Sequence, residues 1–333
     1  MCCLLCQFWF PTARAVLYRR VHFSTVDPKD YSLELALRSS KSARSLIRHL
    51  VISHPDSSHD HRLEWIALLP ERTLLSVVFE RMPLSTGPLL LQYPAIRSAP
   101  QVTISRSEFL QTEPSNLATI LSYPHLESLS VLLKNVPLRF NGTLRLKRLS
   151  LGVVAEARPQ LLATILQAIE PHYLQKLDLL MSFLTADDVA WLANLLRPHF
   201  PTLKHLAIRT LDHTRTEPIV EDLTESIPRL ETLACGRNTY TPKLFPLLPP
   251  QLRSLTLDSG DNEPFPREEL EQAVTRLCKG KQTLANLTIG RHPSYPNTLY
   301  FNRISLLCQS YGVSFTINRG RIGEYLTLGA WSC

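Results

Sequence analysis

One short apolar pattern recurs along this sequence and limits the folds that the chain can adopt. Four stretches follow Pro-x-Leu-x-x-Leu-x-apolar, and a fifth is one residue longer: PHLESLSV, PTLKHLAI, PRLETLAC, PQLRSLTL and PHYLQKLDL. The looser pattern apolar-x-x-apolar-x-apolar begins at Tyr18, Ile47, Leu74, Ala99, Leu126, Leu146, Leu174, Leu203, Leu230, Leu252 and Leu284, with a degenerate twelfth copy at Val313. Such self-similarity predicts a repeat protein, in which each unit packs on its neighbours.

Each copy of the pattern has the chemistry of a β-strand. In LKHLAI, Leu206 and Ile208 alternate with other residues, which predicts a strand with one buried face. The same alternation puts His205, Ala207 and Arg209 on the opposite face. Across the repeats we expect seven leucines to align as one buried ladder: Leu129, Leu149, Leu177, Leu206, Leu233, Leu255 and Leu287.

Helical patterns lie between the copies. TADDVAWLANLLRPHF begins with Thr185 as an N-cap, and its apolar residues recur at the helical period. PQLLATILQAIEP and PREELEQAVTRLCKG have a similar period. A proline stands two residues ahead of several strand patterns, as Pro201 does, and it cannot continue a helix. Strands that alternate with helices predict parallel strands joined by crossovers.

This period and alternation resemble those of leucine-rich repeat proteins, whose repeats span about 20–29 residues. The resemblance covers about residues 45–320. It implies an α/β fold, a leucine-rich-repeat solenoid or horseshoe with a parallel sheet on the concave face and helices on the convex face. The family usually carries Asn or Cys three places after the last strand leucine, and here only Asn238 does so. In this respect the chain resembles the leucine-rich repeat proteins that have longer, irregular, helix-bearing repeats.

The head of the chain, LLCQFWFPTARAVLYRRVHF, is similar to the second half of an F-box as it occurs in fungal F-box and leucine-rich repeat proteins. The resemblance implies docking on a Skp-type adaptor through Leu4, Leu5, Phe8, Pro11 and Leu17. Alternatively, Leu4, Leu5, Phe8 and Phe10 only cap the open end of the first repeat. The opening Leu-Pro-x-Glu-Ile segment of the F-box does not occur in the sequence, through truncation of the gene model or through loss. We therefore expect adaptor binding that is weak or absent.

These patterns divide the chain into three parts. We expect a partial F-box-like helical cap over residues 1–24 and a solenoid of about 10–12 irregular repeats over residues 25–320. We expect residues 321–333 to form a C-terminal tail or cap.

Charge and cysteine content narrow the classes of partner. The formal net charge is +7, and +5 of it falls within Met1 to His54, which hold eight Lys or Arg against three acidic residues. Because the rest of the chain is nearly neutral, we expect no nucleic-acid partner. No apolar run reaches about 18 residues, so we expect no membrane partner. The seven scattered cysteines do not form a disulfide framework, which favours the cytoplasm or the nucleus.

Catalytic motifs are few and weak. Five residues of SHPDSSHDHRLEW could be assembled into a metal site: His54, Asp56, His59, Asp60 and His61. Their place between a strand and a helix instead favours a solvated loop. No Gly-rich phosphate loop and no Gly-x-Ser-x-Gly elbow occurs. We therefore expect no enzymatic activity, no metal and no cofactor.

One group of basic residues stands out on the polar face of the predicted strands. Arg148, Lys176 and His205 occupy the same position in three consecutive repeats, so adjacent strands would hold them about 4.8 Å apart. Lys147, Lys204 and Arg209 lie near the edges of this group, and Asp178 is the only acid expected among them. The alternative is a solvated face that binds no partner. We predict that an acidic segment of an unidentified protein partner docks there.

Two functions fit this interpretation. The chain resembles the substrate-receptor arm of an SCF-type ubiquitin ligase. The alternative is a ligase-independent intracellular leucine-rich repeat scaffold or inhibitor that uses the same surface.

Overall fold

The computed structural model describes residues 10–54, 57–82, 87–105, 114–134, 138–154, 159–182, 185–211, 216, 218–258, 265–279, 283–290 and 301–318. These residues fall into two compact units, of which the first ends at Leu146 and the second begins at Lys147.

The described part of the first unit contains five parallel strands and six short or medium α-helices. The strands are β1 (Arg20–Ser24), β2 (His49–Ser53), β3 (Ser76–Glu80), β4 (Gln101–Ser105) and β5 (Ser128–Lys134). The helices are α1 (Phe10–Arg19), α2 (Asp30–Ser39), α3 (Lys41–Arg44), α4 (Gly87–Leu90), α5 (Pro94–Arg97) and α6 (Pro114–Leu121). A 3-10 helix also runs over Ser57–Leu68.

Seven parallel strands lie in the residues that are described for the second unit. They are β6 (Arg148–Val154), β7 (Lys176–Met181), β8 (His205–Thr210), β9 (Thr232–Cys235), β10 (Ser254–Asp258), β11 (Asn286–Gly290) and β12 (Ser314–Asn318). Its helices are α7 (Pro159–Ala168), α8 (Ala186–Leu196), α9 (Val220–Ser226), α10 (Leu244–Leu247), α11 (Arg267–Cys278) and α12 (Asn302–Ser310), with a 3-10 turn over Arg197–His199.

The order of the strands in each unit follows the order of the chain, and every described pair is parallel. Each strand begins one or two residues after the start of a predicted copy, and the degenerate copy at Val313 gives β12. The prediction of ten to twelve parallel strands is therefore confirmed. Strand and helix alternate along the chain, as an α/β repeat fold of the leucine-rich-repeat type requires.

The predicted leucine ladder is buried. Register joins Leu149, Leu177, Leu206, Leu233, Leu255 and Leu287 across successive strands of the second unit, and Leu129 holds the matching place in the first unit. All seven are at most 1% exposed. Because side chains alternate along a strand, this burial turns the intervening positions to the other face of each sheet.

The predicted helices also lie where the sequence patterns put them. Helix α8 begins at Ala186, directly after Thr185, and α7 begins at Pro159. Helix α11 carries Glu268 and Glu269 in its first turn, where carboxylates favour the positive end of the helix dipole.

A buried ion pair stabilises the start of the first unit. The Nε of Arg62 lies 2.9 Å from Oε2 of Glu34, and both side chains are at most 10% exposed. The guanidinium of Arg62 also stands 5.4 Å from the ring centre of Phe23 and donates to the carbonyl oxygen of Thr25. Charges buried this deeply persist only when they are paired.

His54 corrects the prediction of a solvated loop. It is fully buried, and its Nδ1 lies 2.5 Å from Oγ1 of Thr25. Residues 57–68 form the 3-10 helix rather than a loop. His61 is exposed, Asp56 lies outside the described residues, and the side chains of His59 and Asp60 are not described.

Candidate functional site

The open face of the second unit is the sheet surface opposite the buried leucines. Its first row runs across seven strands in register: Arg148, Lys176, His205, Thr232, Ser254, Asn286 and Ser314. Hydroxyl and amide side chains fill the last four places. The first three places carry the basic residues, which we call the basic column. The predicted adjacency of these three residues is confirmed, whereas their role in binding stays a prediction.

Backbone hydrogen bonds fix the spacing of the basic column. The N–H groups of Gln175 and Lys176 both donate to the carbonyl oxygen of Lys147, at 2.9 and 3.0 Å. The N–H groups of Lys204 and His205 donate in the same way to the carbonyl oxygen of Gln175, at 2.8 and 3.0 Å. The three basic side chains therefore start from strands about 4.8 Å apart.

The members of the basic column differ in exposure and charge. Arg148 is exposed, whereas Lys176 and His205 are half-buried. Burial lowers the pKa of His205, and the positive charges of Lys176 and Lys204 lower it further, while Glu231 opposes the shift. His205 is therefore mostly neutral at pH 7, and Arg148 and Lys176 supply the permanent charge of the column.

Lys204 does not stand free at the edge of the column. Its Nζ lies 3.2 Å from Oε1 of Glu231, the residue that directly precedes β9. The expectation that Asp178 is the only acid in this group was therefore wrong. Glu231 occupies the second position of its repeat, which the sequence pattern leaves unassigned to either face. Lys147 precedes β6 and is half-buried.

Arg209 belongs to a second, mixed-charge group at the other end of the strands. Burial raises the pKa of Asp178 and of Asp258, and the positive charge of Arg209 opposes that rise in both. Arg237 acts on Asp258 in the same direction. Arg209 is thus compensated by two carboxyl groups, so it is a poorer partner for an external anion than Arg148. Lys176 also acts on Asp178, in the same direction as Arg209.

The stretch LACGRNTY supplies residues of this mixed-charge group that sequence reasoning did not assign. Asn238 has a left-handed φ of 56°, which turns the chain after β9. The turn brings the hydroxyl of Tyr240 to the carbonyl oxygen of Asp258, at 3.1 Å. Burial raises the pKa of Tyr240 well above its usual value, so the phenol stays protonated and donates this bond.

The head of the chain exposes apolar side chains. Helix α1 has no buried residue, and Leu17 and Phe10 are 63% and 43% exposed. Pro11 is exposed as well. Further large apolar side chains are exposed up to residue 35: Val16, Val26, Tyr31 and Leu35. The predicted adaptor residues Leu4, Leu5 and Phe8 lie outside the described residues.

Other candidate chemistry is sparse in the described part of the chain. No group of three or more potential metal-ligating side chains occurs there. Cys235, Cys278 and Cys308 are buried and carry no disulfide. Burial raises the pKa of the Cys308 thiol to about 11, which keeps it protonated. Among the described helices, none combines the length and the hydropathy that a membrane crossing requires.

Strand–helix units with leucines in register define the class of this protein as an α/β protein of the leucine-rich-repeat type. No protein-family model matches the chain, and no curated protein matches it significantly. Among solved structures, it is similar to the TLR13–ssRNA13 complex, with a TM-score of 0.37 and 15% sequence identity. The match covers 91% of this chain and 40% of that chain. At this TM-score the likeness carries no argument about ligands, and the class rests on strand order, register and burial.

Proposed function

We propose that this chain is a protein-interaction module that binds an acidic segment of a partner protein at the basic column. The observation that carries the proposal is the register of Arg148 with Lys176 and of Lys176 with His205. Arg148 and Lys176 carry like charges on neighbouring strands and repel one another, so their grouping lowers stability unless an anion joins them. The module is expected to work in the cytoplasm or the nucleus, without catalysis, metal or cofactor.

The surroundings of the basic column suit an extended segment. Ser150, Thr232, Ser254 and Thr256 are small, half-buried side chains on the same face, and they offer hydroxyl groups to a partner backbone. One exposed ion pair contributes only about 0–1 kcal/mol. A useful affinity therefore requires several carboxylates that engage Arg148 and Lys176 together, or an anchor residue that becomes fully buried.

A second candidate role is the substrate-receptor arm of an SCF-type ubiquitin ligase. It is favoured by the exposure of Phe10 on α1, because a side chain that only capped the first repeat would be buried. The ligase-independent scaffold or inhibitor remains the alternative, and it shares the basic column as its binding surface.

Affinity capture from the native cell tests the binding site. The variant is Arg148→Glu with Lys176→Glu, and the matched control is Arg197→Glu with Lys279→Glu, two exposed basic residues on the helical side of the same unit. We expect the first variant to lose partners that the wild type and the control retain. Unchanged partners, with circular dichroism showing an intact fold, would contradict the proposal.

A pull-down with a Skp-type adaptor tests the ligase role separately. Retention of the adaptor by the wild type, and its loss with Leu17→Asp, supports the ligase arm. If the wild type retains no adaptor, the scaffold role is supported instead. Leu306→Asp, at another exposed leucine, is the control for a general effect of an added charge.

A further inference from the structure

Basic side chains also gather on the first two strands of the first unit. Arg20 on β1 lies in register with His49 on β2, and His22 follows Arg20 on the same face. Arg19 and Arg48 directly precede these strands, and the N–H of Arg48 donates to the carbonyl oxygen of Arg19 at 2.9 Å. We call these five residues the first-unit patch. Strand pairing holds them on or directly before two neighbouring strands, which lie about 4.8 Å apart.

Arg20 and His22 leave their side chains available to a ligand. Both residues are exposed, and neither side chain makes a hydrogen bond or an ion pair within the described part of the chain. His49 is half-buried, and its Nδ1 lies 2.9 Å from Oγ of Ser76. Burial lowers the pKa of His49, and the charges of Arg19 and Arg20 lower it further. The charges of Arg19 and Arg20 therefore act on His49 as well, and the patch carries a positive electrostatic potential.

Nearby acids do not neutralise the first-unit patch. The carboxylate of Asp30 accepts the N–H of Ser24 at 2.6 Å, beyond the end of the patch. Glu80 lies two strands away from β1, opposite Ser53 in the third row. Among the described residues, no ion pair joins any member of the patch to an acid. The positive charge of Arg19 and Arg20 is therefore open to an external anion.

Apolar side chains border the patch on β3 and directly before it. Leu75 is 43% exposed, and its N–H donates to the carbonyl oxygen of Arg48 at 2.7 Å. Val78, on the open face of β3, is half-buried. A patch that joins exposed aliphatic surface to arginine has the composition of a protein–protein interface, in which an apolar centre is surrounded by polar groups.

We infer that the first-unit patch is a second docking surface, separate from the basic column, for a protein segment that carries both carboxylates and an aliphatic side chain. The carboxylates would pair with Arg19, Arg20 and His22, and the aliphatic side chain would cover Leu75 and Val78. A nucleic acid could use the charge but would have no matching group for Leu75. This inference goes beyond the proposed function, because it concerns other strands and a different ligand composition.

Peptide binding to the full chain tests the inference. The probe is a fluorescent repeating Glu-Glu-Leu peptide, and its control is a repeating Glu-Glu-Ser peptide of the same length and charge. The protein carries Arg148→Glu with Lys176→Glu, so that binding at the basic column does not contribute. In that background we expect the leucine peptide to bind at least threefold more tightly than the serine peptide. We also expect Arg20→Glu with His22→Glu to weaken its binding by about tenfold or more.

The matched control is Lys29→Glu with Lys41→Glu, two exposed lysines of the same unit that lie outside the patch. Equal binding of the two peptides would overturn the inference, and so would an equal loss in the lysine variant. If a thymidine homopolymer bound as tightly as the leucine peptide, the ligand of the patch would be a nucleic acid and not a protein segment. If the glutamate variant fails to fold, Arg20→Gln with His22→Gln is expected to give a smaller loss in the same direction. A failure here leaves the proposed function untouched, since that function is tested by capture at Arg148 and Lys176.

Discussion

A Cβ atom on Gly236 would stand only 2.8 Å from the Cα of Arg209, because the N–H of Gly236 donates to the carbonyl oxygen of Ile208 at 2.7 Å. The obstacle is backbone rather than a flexible side chain, so it cannot rotate away. Glycine at this position therefore allows β8 to stay close to the turn that follows β9.

We expect Gly236→Ala to lower the free energy of unfolding by about 1–3 kcal/mol, since overpacking forces the backbone to move. Denaturant unfolding measures the change. The control is Gly142→Ala, where the nearest atom belongs to the side chain of Phe140 in an exposed segment and can move. Equal losses in the two variants would contradict this reason for the glycine.

Leu206 gives a test of the buried ladder. It is 1% exposed and lies in register between Leu177 and Leu233. We expect Leu206→Ala to cost about 2–5 kcal/mol, because truncation leaves a cavity among packed neighbours. Leu306→Ala, at a leucine that is 65% exposed, should cost much less. A loss at Leu206 no larger than the loss at Leu306 would show that the ladder does not carry the core.

The ion pair of Glu34 and Arg62 gives a test of buried charge. We expect Arg62→Met to cost about 3 kcal/mol, because it removes the buried partner of a buried carboxylate. Arg38 lies 2.9 Å from the other oxygen of Glu34, and its side chain is 35% exposed. Arg38→Met should therefore cost no more than about 1 kcal/mol. The prediction fails if the two variants unfold at the same denaturant concentration.

His199 predicts how stability depends on pH. It is 1% exposed, and burial lowers its pKa, which a hydrogen bond to the backbone of Leu166 only partly offsets. The unfolded chain takes up a proton as pH falls through about 6.5, whereas the folded chain resists it, so stability falls below that pH. We expect His199→Gln to flatten this dependence, although the variant is less stable near pH 8. Exposed His125→Gln should keep the wild-type slope when unfolding is measured across pH.

Asp178 predicts a gain in affinity at the basic column. It shares the open face with Lys176. Burial raises the pKa of Asp178, and the positive charges of Arg209 and Lys176 oppose that rise. Asp178→Asn removes the negative charge without changing the shape of the side chain. We expect an acidic partner to bind up to about fivefold more tightly, equivalent to less than about 1 kcal/mol. Asp222→Asn, at an exposed residue of α9, is the control. A loss of affinity at Asp178 would count against docking at this face.

The strands could be predicted from sequence because each depends on a local alternation that one repeat contains in full. Leu206 and Ile208 are an example, since burial of one face at period two needs no knowledge of distant residues. The adjacency of Arg148 and Lys176 followed from the repeat period in the same way.

Specific side-chain bonds between repeats could not be predicted from the same patterns. Glu231 forms an ion pair with Lys204 of the preceding repeat, and His54 forms a hydrogen bond with Thr25 of a different repeat. These contacts depend on side-chain rotamers and on the geometry of the turns, neither of which follows a sequence period. The composition of His54, Asp56, His59, Asp60 and His61 suggested a hydrated loop, but the cost of leaving buried polar atoms unpaired selected a specific bond for His54.

In the second unit, residues that hold the sheet together alternate one by one along each strand with residues of the open face, as Leu177 alternates with Lys176 and Asp178. In relatives of this protein, substitutions should therefore alternate with a period of two residues along each strand. Positions on the buried face should keep their size, and positions on the open face should vary freely. A library randomised at Ser150, Thr232, Ser254 and Thr256 would leave the leucine ladder intact. Selection on such a library could redirect the surface to new targets while the scaffold keeps its stability.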